Sequence, residues 1–355
     1  MKKLLTLTAI LFMIQYNANA QGCVAIKGTA GICSKPSDAK GWELNLNERY
    51  FKSYKHFVGT EEQKQRVDSG TNVINHAYEL DITATRTINL RWSLAITVPI
   101  MSFKRSSLYE HNGSGRHSTS SFGIGDVRFS AYRWMFDPKT SHKGNVQLGA
   151  GIKLATGNYN YQDYFYTKVQ DSMILGPVDQ SIQPGDGGTG ITFEVNSFYN
   201  FSHKLGVYGS FFYLANPREV NGTSTARGGT VSSSAKKYNT DVMSVPDLFM
   251  TRAGVSYMVK QFNFAGGVRV EGLPSKDIIG GSKGFRRPGY IVSAEPSITY
   301  VAKKVSFNLA VPFALKRDRT QSDADNRQTI DTGTHKQGDA AFADYLISAG
   351  VTFKL

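Results

Sequence analysis

The chain has 355 residues, of which 12% are aromatic and 35 are glycines, and its formal net charge is +13. After the N-terminus no apolar run reaches the roughly 18 residues that a membrane-spanning helix needs, so the sequence argues against a helical membrane protein. The mean hydropathy of −0.30 is compatible with a β-barrel, because the alternating strands of a barrel average to nearly neutral values.

Residues 1–20 have the three parts of a secretory signal peptide. Lys2 and Lys3 form a positive start, an apolar run follows over residues 4–14, and Ala18 and Ala20 are small residues at the positions that a signal peptidase reads. The apolar run is too short to span a bilayer and remain as an anchor. We therefore predict export of the chain and cleavage after Ala20.

Export limits the kinds of partner that the positive net charge could bind. An exported chain does not meet the genome, so nucleic acid is not an expected partner. A basic surface facing anionic lipopolysaccharide, or a channel that favours anions, fits an exported chain better. Scattered lysines that keep loops solvated would explain the same charge, so these interpretations stay open.

The only two cysteines, Cys23 and Cys33, lie close to the predicted mature N-terminus. In an oxidising compartment we expect them to form one disulfide bond. The pair falls in residues 21–40, which we predict to be a small extension preceding the main fold. This extension either hangs free in the periplasm or enters the barrel as a plug.

From residue 41 to the C-terminus the sequence reads as about twelve strand-like segments, most of them alternating between apolar and polar residues, an even number as in bacterial outer-membrane barrels. The closing strand shows the alternation best, with one parity occupied by Tyr345, Ile347, Ala349, Val351, Phe353 and Leu355. Only Leu346 breaks its pattern. In the first strand Glu48 breaks the parity, which predicts a bulge or a shorter strand there.

The connections between these segments alternate in length. Short turns such as 87–89, 202–204 and 302–304 alternate with long polar connections. The long connections cover residues 54–72, 103–121, 158–188, 216–245, 273–288 and 317–339. Short turns on one side and long loops on the other are typical of an outer-membrane barrel with extracellular loops.

One choice of orientation places aromatic residues in two belts, as membrane interfaces favour. With a periplasmic N-terminus, the periplasmic belt contains Trp92, Tyr257, Phe262, Tyr300 and Phe353. The extracellular belt contains Tyr50, Tyr78, Tyr213, Phe249, Tyr290, Phe313 and Tyr345.

The opposite parity places charged residues inside the barrel. The predicted pore-lining residues are Glu79, Asp81, Asp126, Arg128, Lys153, Glu194, Arg252, Arg269, Glu271 and Glu295. Without partners or water each buried charge would cost roughly several kcal/mol. These residues therefore either line a hydrated channel that orients a solute or form a salt-bridge network that plugs and rigidifies the barrel.

Three glycine-containing stretches stand at the ends of predicted strands: 122–127 (FGIGDV), 151–157 (GIKLATG) and 185–188 (GDGG). They resemble an outer-membrane protein family named for the MetA pathway of phenol degradation. The resemblance implies a small barrel linked to uptake of hydrophobic or aromatic compounds. The chain departs from the family pattern at Ala155, where proline is usual, and at Leu355, where barrels commonly end in an aromatic residue.

Other chemistry has weak support in the sequence. An outer-membrane lipid hydrolase would need a serine beside a histidine, and His111, His117 and Ser118 are the nearest candidates. No spacing matches a metal-binding motif, so we expect no catalytic residue, no metal and no cofactor. The basic segment Gly284–Pro288 reads as a loop tip that is either solvated or in contact with lipopolysaccharide phosphates through arginine.

We therefore predict an all-β, transmembrane, antiparallel up-and-down barrel of about twelve strands over residues 41–355, in the outer membrane of a Gram-negative bacterium. The predicted function is a porin-like channel for small solutes, not an enzyme. The alternatives are a non-conducting accessory of an outer-membrane assembly and, third, a lipid hydrolase. Expected partners are outer-membrane lipid, lipopolysaccharide, the barrel-insertion machinery, small solutes and an outer-membrane protein.

Overall fold

The computed structural model describes residues 41–169 and 172–355. The predicted signal peptide with its cleavage site at Ala20, the extension 21–40 and the pair Cys23 and Cys33 lie outside the described residues. Those assignments stay predictions.

The described chain is all-β, with short helices in its connections. The strands are β1 (Gly41–Val58), β2 (Glu61–Glu62), β3 (Ile74–Thr87), β4 (Trp92–Ser107), β5 (His117–Ile124), β6 (Arg128–Trp134), β7 (Gly144–Lys153), β8 (Gln162–Tyr166), β9 (Met173–Pro177), β10 (Gly190–Asn200), β11 (Leu205–Ala215), β12 (Val220–Ser224), β13 (Val242–Ser244), β14 (Leu248–Val259), β15 (Phe262–Leu273), β16 (Gly289–Val301), β17 (Val305–Ala310), β18 (Phe313–Asp318) and β19 (Ala340–Lys354). The helices are α1 (Lys64–Asp68), α2 (Ser233–Lys237) and α3 (Asp323–Thr332), and Gln180–Ile182 forms a 3₁₀ turn.

These strands close into an antiparallel barrel of twelve strand positions, which confirms the predicted fold. Each strand position of the wall pairs with the next position along the chain, while the hairpins β8–β9 and β12–β13 stay outside the wall. The pairing of β19 with β1, from Glu43–Lys354 to Phe57–Ala340, closes the ring. The fourth position is shared by β5 and β6, which both pair with β4. The eleventh is shared by β17 and β18, which both pair with β16.

The wall is polar inside and apolar outside, the reverse of a water-soluble barrel. On β1, Asn47 and Arg49 are buried in the interior, whereas Trp42 on the other parity is 49% exposed. Glu48 is exposed on that outer face. The expectation of a bulge at Glu48 was wrong, because the ladder with β3 runs unbroken from Gly41 to Ser53 and β1 is 18 residues long. The bulges of β1 lie above Phe51, against β19.

Leu346, which breaks the parity of the closing strand, points into the barrel. It is 6% exposed and belongs to an interior apolar cluster with Phe51, Ala77 and Phe103 of the wall. Val178 and Ile182 from the connection between β9 and β10 belong to the same cluster. This connection therefore enters the barrel and packs on its inner wall.

The residues of the two predicted aromatic belts all lie at least partly exposed on the outer parity of the wall. Trp92, Tyr257 and Phe262 are each more than 40% exposed at the end with short turns. Tyr78 and Phe313 are similarly exposed at the end with long connections. This arrangement places aromatic rings where a bilayer's two interfaces would surround the barrel.

The long connections are shorter and more ordered than the sequence predicted. In residues 103–121, β4 continues to Ser107 and β5 begins at His117. The hairpins β8–β9 and β12–β13 lie within two other predicted loops. Helix α3 begins with a capping box in which Ser322 and Asp325 satisfy each other's backbone N–H groups.

Within the described ranges, no helix is long and apolar enough to cross a membrane.

Candidate functional site in the barrel interior

Ion pairs between neighbouring strands fill part of the barrel interior. On β1, the Arg49 guanidinium contacts the Glu79 carboxylate of β3 and lies 3.3 Å from the Asp81 carboxylate. Because register places Arg49 opposite Glu79, and Asp81 two residues further along, one arginine serves both acids. Arg49 is only 1% exposed, so this pairing offsets much of the desolvation cost of three buried charges.

A second ion-pair group lies on β14, β15 and β16. Arg269 contacts Glu271 at 2.7 Å and Glu295 at 3.2 Å, and Arg252 contacts Glu295 at 3.4 Å. Arg252 also donates a hydrogen bond from Nε to Ser210 Oγ at 2.8 Å. Two arginines and two glutamates thereby balance their charges across three strands.

The three stretches that carry the family resemblance meet at one point in space. Lys153 contacts Asp126 at 3.2 Å and also contacts Asp186. The Asp126 carboxylate accepts a hydrogen bond from Gly157 N at 2.9 Å. The backbones of Gly157 and Gly185 approach so closely that a Cβ on Gly185 would lie 2.8 Å from Gly157 Cα. We call this cluster the motif junction; it ties the wall to the connection that leads into β10.

The segment 178–186, here called the inner loop, lies inside the barrel. Val178 and Ile182 are fully buried, and Ser121 Oγ of β5 donates a hydrogen bond to the Ile182 carbonyl. At the inner loop's other side, Gln180 Nε2 donates to Ser244 O of β13 at 2.9 Å. Contacts with both the wall and another connection therefore hold the inner loop in place.

Asp179 joins the inner loop to three arginines from separate parts of the chain. Arg287 donates two hydrogen bonds to its carboxylate at 2.9 and 2.6 Å, and Arg105 and Arg227 lie 3.4 and 3.6 Å away. Glu110 contacts Arg105 at 2.7 Å and Arg227 at 2.8 Å. Burial alone would raise the pKa of the Asp179 carboxyl, but Arg105 and Arg287 outweigh burial and hold this pKa well below its usual range.

A cavity of about 260 Å³ remains between the wall and the inner loop. Five of its apolar side chains come from β11, β13, β14 and β15: Phe212, Leu214, Met243, Leu248 and Leu273. Charged side chains on and beside β3, β6 and β7 also line it: Glu79, Asp126, Arg128 and Lys153. The remaining charged side chains at the cavity are Arg66, Arg105, Asp186, Arg287 and Asp339. Its volume is close to the lower end of the roughly 300–1,000 Å³ of ligand pockets, so the cavity suits a small compound with an apolar body and a polar group.

Arg128 is the cation at this cavity for which the described residues provide no carboxylate within 4 Å. Its guanidinium lies 5.5 Å from the centre of the Phe212 ring. Glu194, deeper in the barrel, instead accepts a hydrogen bond from Tyr132 OH at 3.0 Å. Arg128 is therefore the charged group best placed to meet a solute in the cavity.

The ten predicted pore-lining residues fall into two sets. Eight of them take part in the ion pairs described above, and Arg128 and Glu194 do not. Four of the ten line the cavity: Glu79, Asp126, Arg128 and Lys153. The other six lie elsewhere on the wall, so their role in passage of solutes stays a prediction.

Sequence reasoning missed several interior charged groups. Arg49 sits next to Glu48, and its inward parity was available from the sequence. Asp179, Arg105 and Arg287 fell in predicted solvated loops, where parity gives no signal. Their pairing depends on how distant connections fold back into the barrel.

The prediction that the segment Gly284–Pro288 is a solvated or lipid-binding loop tip was wrong. Arg286 is 2% exposed and donates two hydrogen bonds to Asp277 at 2.8 and 2.7 Å. Arg287 binds Asp179. Both guanidinium groups are thus used by carboxylates of this chain and point away from lipid.

The histidines of the lipid-hydrolase alternative contact aromatic rings. The His117 ring stacks on Tyr166 with centroids 3.9 Å apart, and His111 is 1% exposed. In the part of the chain that the structure describes, no hydrogen bond joins a serine hydroxyl to either histidine side chain, and Ser118 pairs with Ser106 in the sheet. Nor do residues 41–169 and 172–355 contain a group of three or more metal-ligating side chains.

Comparisons with known proteins give fold similarity without sequence similarity. The chain matches no family model and no curated protein. The crystal structure of the COG4313 outer membrane channel from Pseudomonas putida F1 aligns with a TM-score of 0.57 at 9% identity, over 92% of this chain and 100% of that one.

Two further solved structures align less well. The translocator domain of the autotransporter NalP from Neisseria meningitidis gives a TM-score of 0.44 at 10% identity, over 100% of this chain and 95% of that one. A Pseudomonas aeruginosa FadL homologue gives 0.43 at 10% identity, over 88% and 90%. At these identities the similarity to the Pseudomonas putida channel shows a shared fold, and that fold is a closed β-barrel.

Proposed function

We propose that the chain is an outer-membrane channel through which small solutes pass, with a preference for compounds that have an apolar or aromatic body. The observation that carries this proposal is the cavity inside a closed barrel, where apolar side chains face charged ones. An interior with charged groups can orient a polar group while the apolar side receives the rest of the solute.

The outer face of the barrel supports the outer membrane as its location. Apolar side chains such as Leu94, Phe129 and Phe264 are 46–50% exposed there, between the two aromatic belts. In water such a surface would cost about 25 cal/mol for each Å² left exposed, whereas lipid tails cover it. The shared fold with a channel of that membrane agrees with this location.

The experiment that tests the proposal is flux across a membrane containing the purified, folded protein. In liposomes we expect protein-dependent uptake of a small aromatic anion such as benzenesulfonate, which bare lipid excludes, to exceed that of glucose, a polar solute without an apolar body. Empty liposomes provide the background rate. Equal rates with and without protein for every solute would contradict the proposal.

The second candidate function is a non-conducting barrel that serves as an accessory of an outer-membrane assembly. The inner loop and the ion pairs favour it, because they occupy much of the interior. A barrel of this kind would show no flux but would co-purify with a defined outer-membrane protein from native membranes. We rank this function second because a cavity remains between the inner loop and the wall, which leaves space for a solute.

The exported start of the chain remains part of the proposal. We propose that residues 1–20 are removed after Ala20 and that Cys23 and Cys33 form a disulfide in the extension 21–40. N-terminal sequencing of protein purified from membranes tests the cleavage. Mass spectrometry before and after reduction tests the disulfide, because reduction of one disulfide adds about two hydrogens to the mass of the chain.

A further inference from the structure

The outer face of the barrel carries an aromatic row at the end with long connections. In this row Tyr50 of β1 pairs with Tyr78 of β3, Tyr78 pairs with Ser102 of β4, and Ser102 pairs with Phe122 of β5. The rings of Tyr50 and Tyr78 are 4.6 Å apart, and Phe122 is 66% exposed. Rings in this arrangement mark the boundary between lipid tails and headgroups.

A basic row lies two residues further from the middle of the membrane on the same strands. Here Lys52 pairs with His76, His76 pairs with Lys104, and Lys104 pairs with Ser120. Neighbouring strands are about 4.8 Å apart, so the two lysine backbones are separated by roughly 10 Å. Two residues of strand advance the chain by about 7 Å or less, which puts the basic row at headgroup depth.

The two lysines of the basic row have no acidic partner in the described part of the chain. Neither Lys52 nor Lys104 lies within 4 Å of a described carboxylate, and Lys52 Nζ instead lies 4.5 Å from the Tyr54 ring centre. Neighbouring surface lysines differ: Lys55 contacts Asp344 at 3.0 Å, and Lys316 donates to Tyr290 OH at 3.0 Å.

The carboxylates near the basic row are already engaged. Asp344 is shared between Lys55 and Arg317. At the Ser120 end of the basic row, Asp163 of β8 accepts a hydrogen bond from Ser120 N at 2.7 Å. The row thus places two lysine charges on either side of one intervening strand without a carboxylate between them, an arrangement that an external anion would stabilise.

We propose that Lys52, His76 and Lys104 bind the phosphate group of a phosphorylated lipid headgroup in the outer leaflet. Ammonium and imidazole N–H groups are good donors to phosphate oxygens, and the aromatic row beneath contacts the acyl chains of the same lipid. The membrane holds the lipid headgroup at the depth of the basic row. A phosphate ion in solution is not positioned in this way. This site replaces the predicted contact at Gly284–Pro288, where both arginines are bound to carboxylates of this chain.

Native mass spectrometry of the protein with lipid in detergent tests this inference. The probes are diphosphorylated lipid A, the same lipid after dephosphorylation, and inorganic phosphate. The double variant Lys52→Gln and Lys104→Gln should bind diphosphorylated lipid A about 10-fold or more weakly than the wild type, since hydrogen bonds to charged groups are lost. The charge-preserving Lys52→Arg and Lys104→Arg should retain binding.

The matched control is Lys139→Gln with Lys143→Gln, which removes the same charge from exposed positions at the short-turn end of the barrel. We expect this control to bind as the wild type does. Wild-type affinity in the Lys52 and Lys104 double glutamine variant would overturn the inference. So would equal binding of dephosphorylated lipid A, or equally tight binding of inorganic phosphate. Conductance plays no part in these readouts, so the inference is independent of the channel proposal.

Discussion

At the scale of residues, the interior charges differ in whether a neighbouring side chain compensates them. Arg252 and Arg269 share the carboxylate of Glu295, whereas Arg128 faces the cavity beside Phe212. A compensated charge contributes mainly to stability, because removing its partner leaves a buried ion. A charge without a carboxylate partner contributes mainly to the potential that a solute meets.

Glu295→Gln should destabilise the barrel by about 3–5 kcal/mol, because it removes a buried acid that two arginines share. The measurement is unfolding by urea in lipid vesicles, monitored by tryptophan fluorescence. Glu48→Gln is the matched control, since Glu48 is exposed on the outer face and has no basic group within 4 Å among the described side chains. Equal stability losses in the two variants would contradict the assignment of Glu295 to a structural network.

Arg128→Gln should make the interior less favourable to anions, because it removes a positive charge that borders the cavity. The reversal potential across a bilayer with a tenfold KCl gradient should shift measurably toward the equilibrium potential of potassium. Arg128→Lys retains the charge and should leave the reversal potential near that of the wild type. An unchanged potential in the glutamine variant would mean that Arg128 does not face permeating ions.

At the residue scale the sequence predicted which side of the wall the charges occupy but not their partners. Period-two alternation is local, so it placed Glu79 and Arg269 on the inward parity, and both side chains are buried in the structure. Partners such as Arg49 and Glu79 depend on the register between two strands. Register depends on turns and on packing, which alternation alone does not encode.

At the scale of elements, the inner loop is held by a close backbone approach at the motif junction and by the ion pairs of Asp179. Neither contact was predictable from the strand pattern. Both join parts of the chain that are distant in sequence, such as Asp179 and Arg287. The three short stretches that carry the family resemblance did indicate positions of structural importance, although nothing in their spacing says that they meet.

Gly185→Ala should displace the inner loop, because its new Cβ would lie 2.8 Å from Gly157 Cα, a backbone atom that cannot move freely. We expect faster cleavage of residues 178–186 by an added protease. Gly266→Ala on β15 is the matched control, since a Cβ there has no neighbour within 4 Å. Cleavage as slow as in the wild type would show that the contact tolerates a methyl group.

Acidification should loosen the inner loop. Burial raises the pKa of the Asp179 and Glu110 carboxyls, but Arg105 and its neighbours lower both pKa values below normal overall. A carboxyl with a lowered folded-state pKa stabilises the fold above its unfolded pKa of about 4, and this contribution is lost as pH falls through the lowered value. Protease cleavage of the inner loop should therefore rise below about pH 4.

Asp179→Asn should reproduce part of that loosening at neutral pH, because it removes the same negative charge from Arg105, Arg227 and Arg287. The pH dependence of cleavage should then be weaker in this variant than in the wild type. A wild-type cleavage rate at pH 7, together with an unchanged pH profile, would contradict the role assigned to Asp179.

At the scale of the whole molecule, the barrel and its twelve strand positions followed from the sequence, because alternation and connection length repeat along the chain. The sequence did not predict the interruptions of the wall between β5 and β6 and between β17 and β18. They depend on local breaks at 125–127 and 311–312 that carry little signal. The contents of the interior also could not be predicted, since long connections fold inward through contacts with distant strands.

The central claim is that this closed barrel passes small solutes through its interior. Its most direct test is the conductance of the purified protein in a planar lipid bilayer, after its folded state has been confirmed by heat-dependent migration on a gel. We predict discrete conductance steps, with a larger open fraction in Asp179→Asn, where the inner loop is less firmly held. A folded, inserted barrel that shows no conductance in either form would contradict the claim.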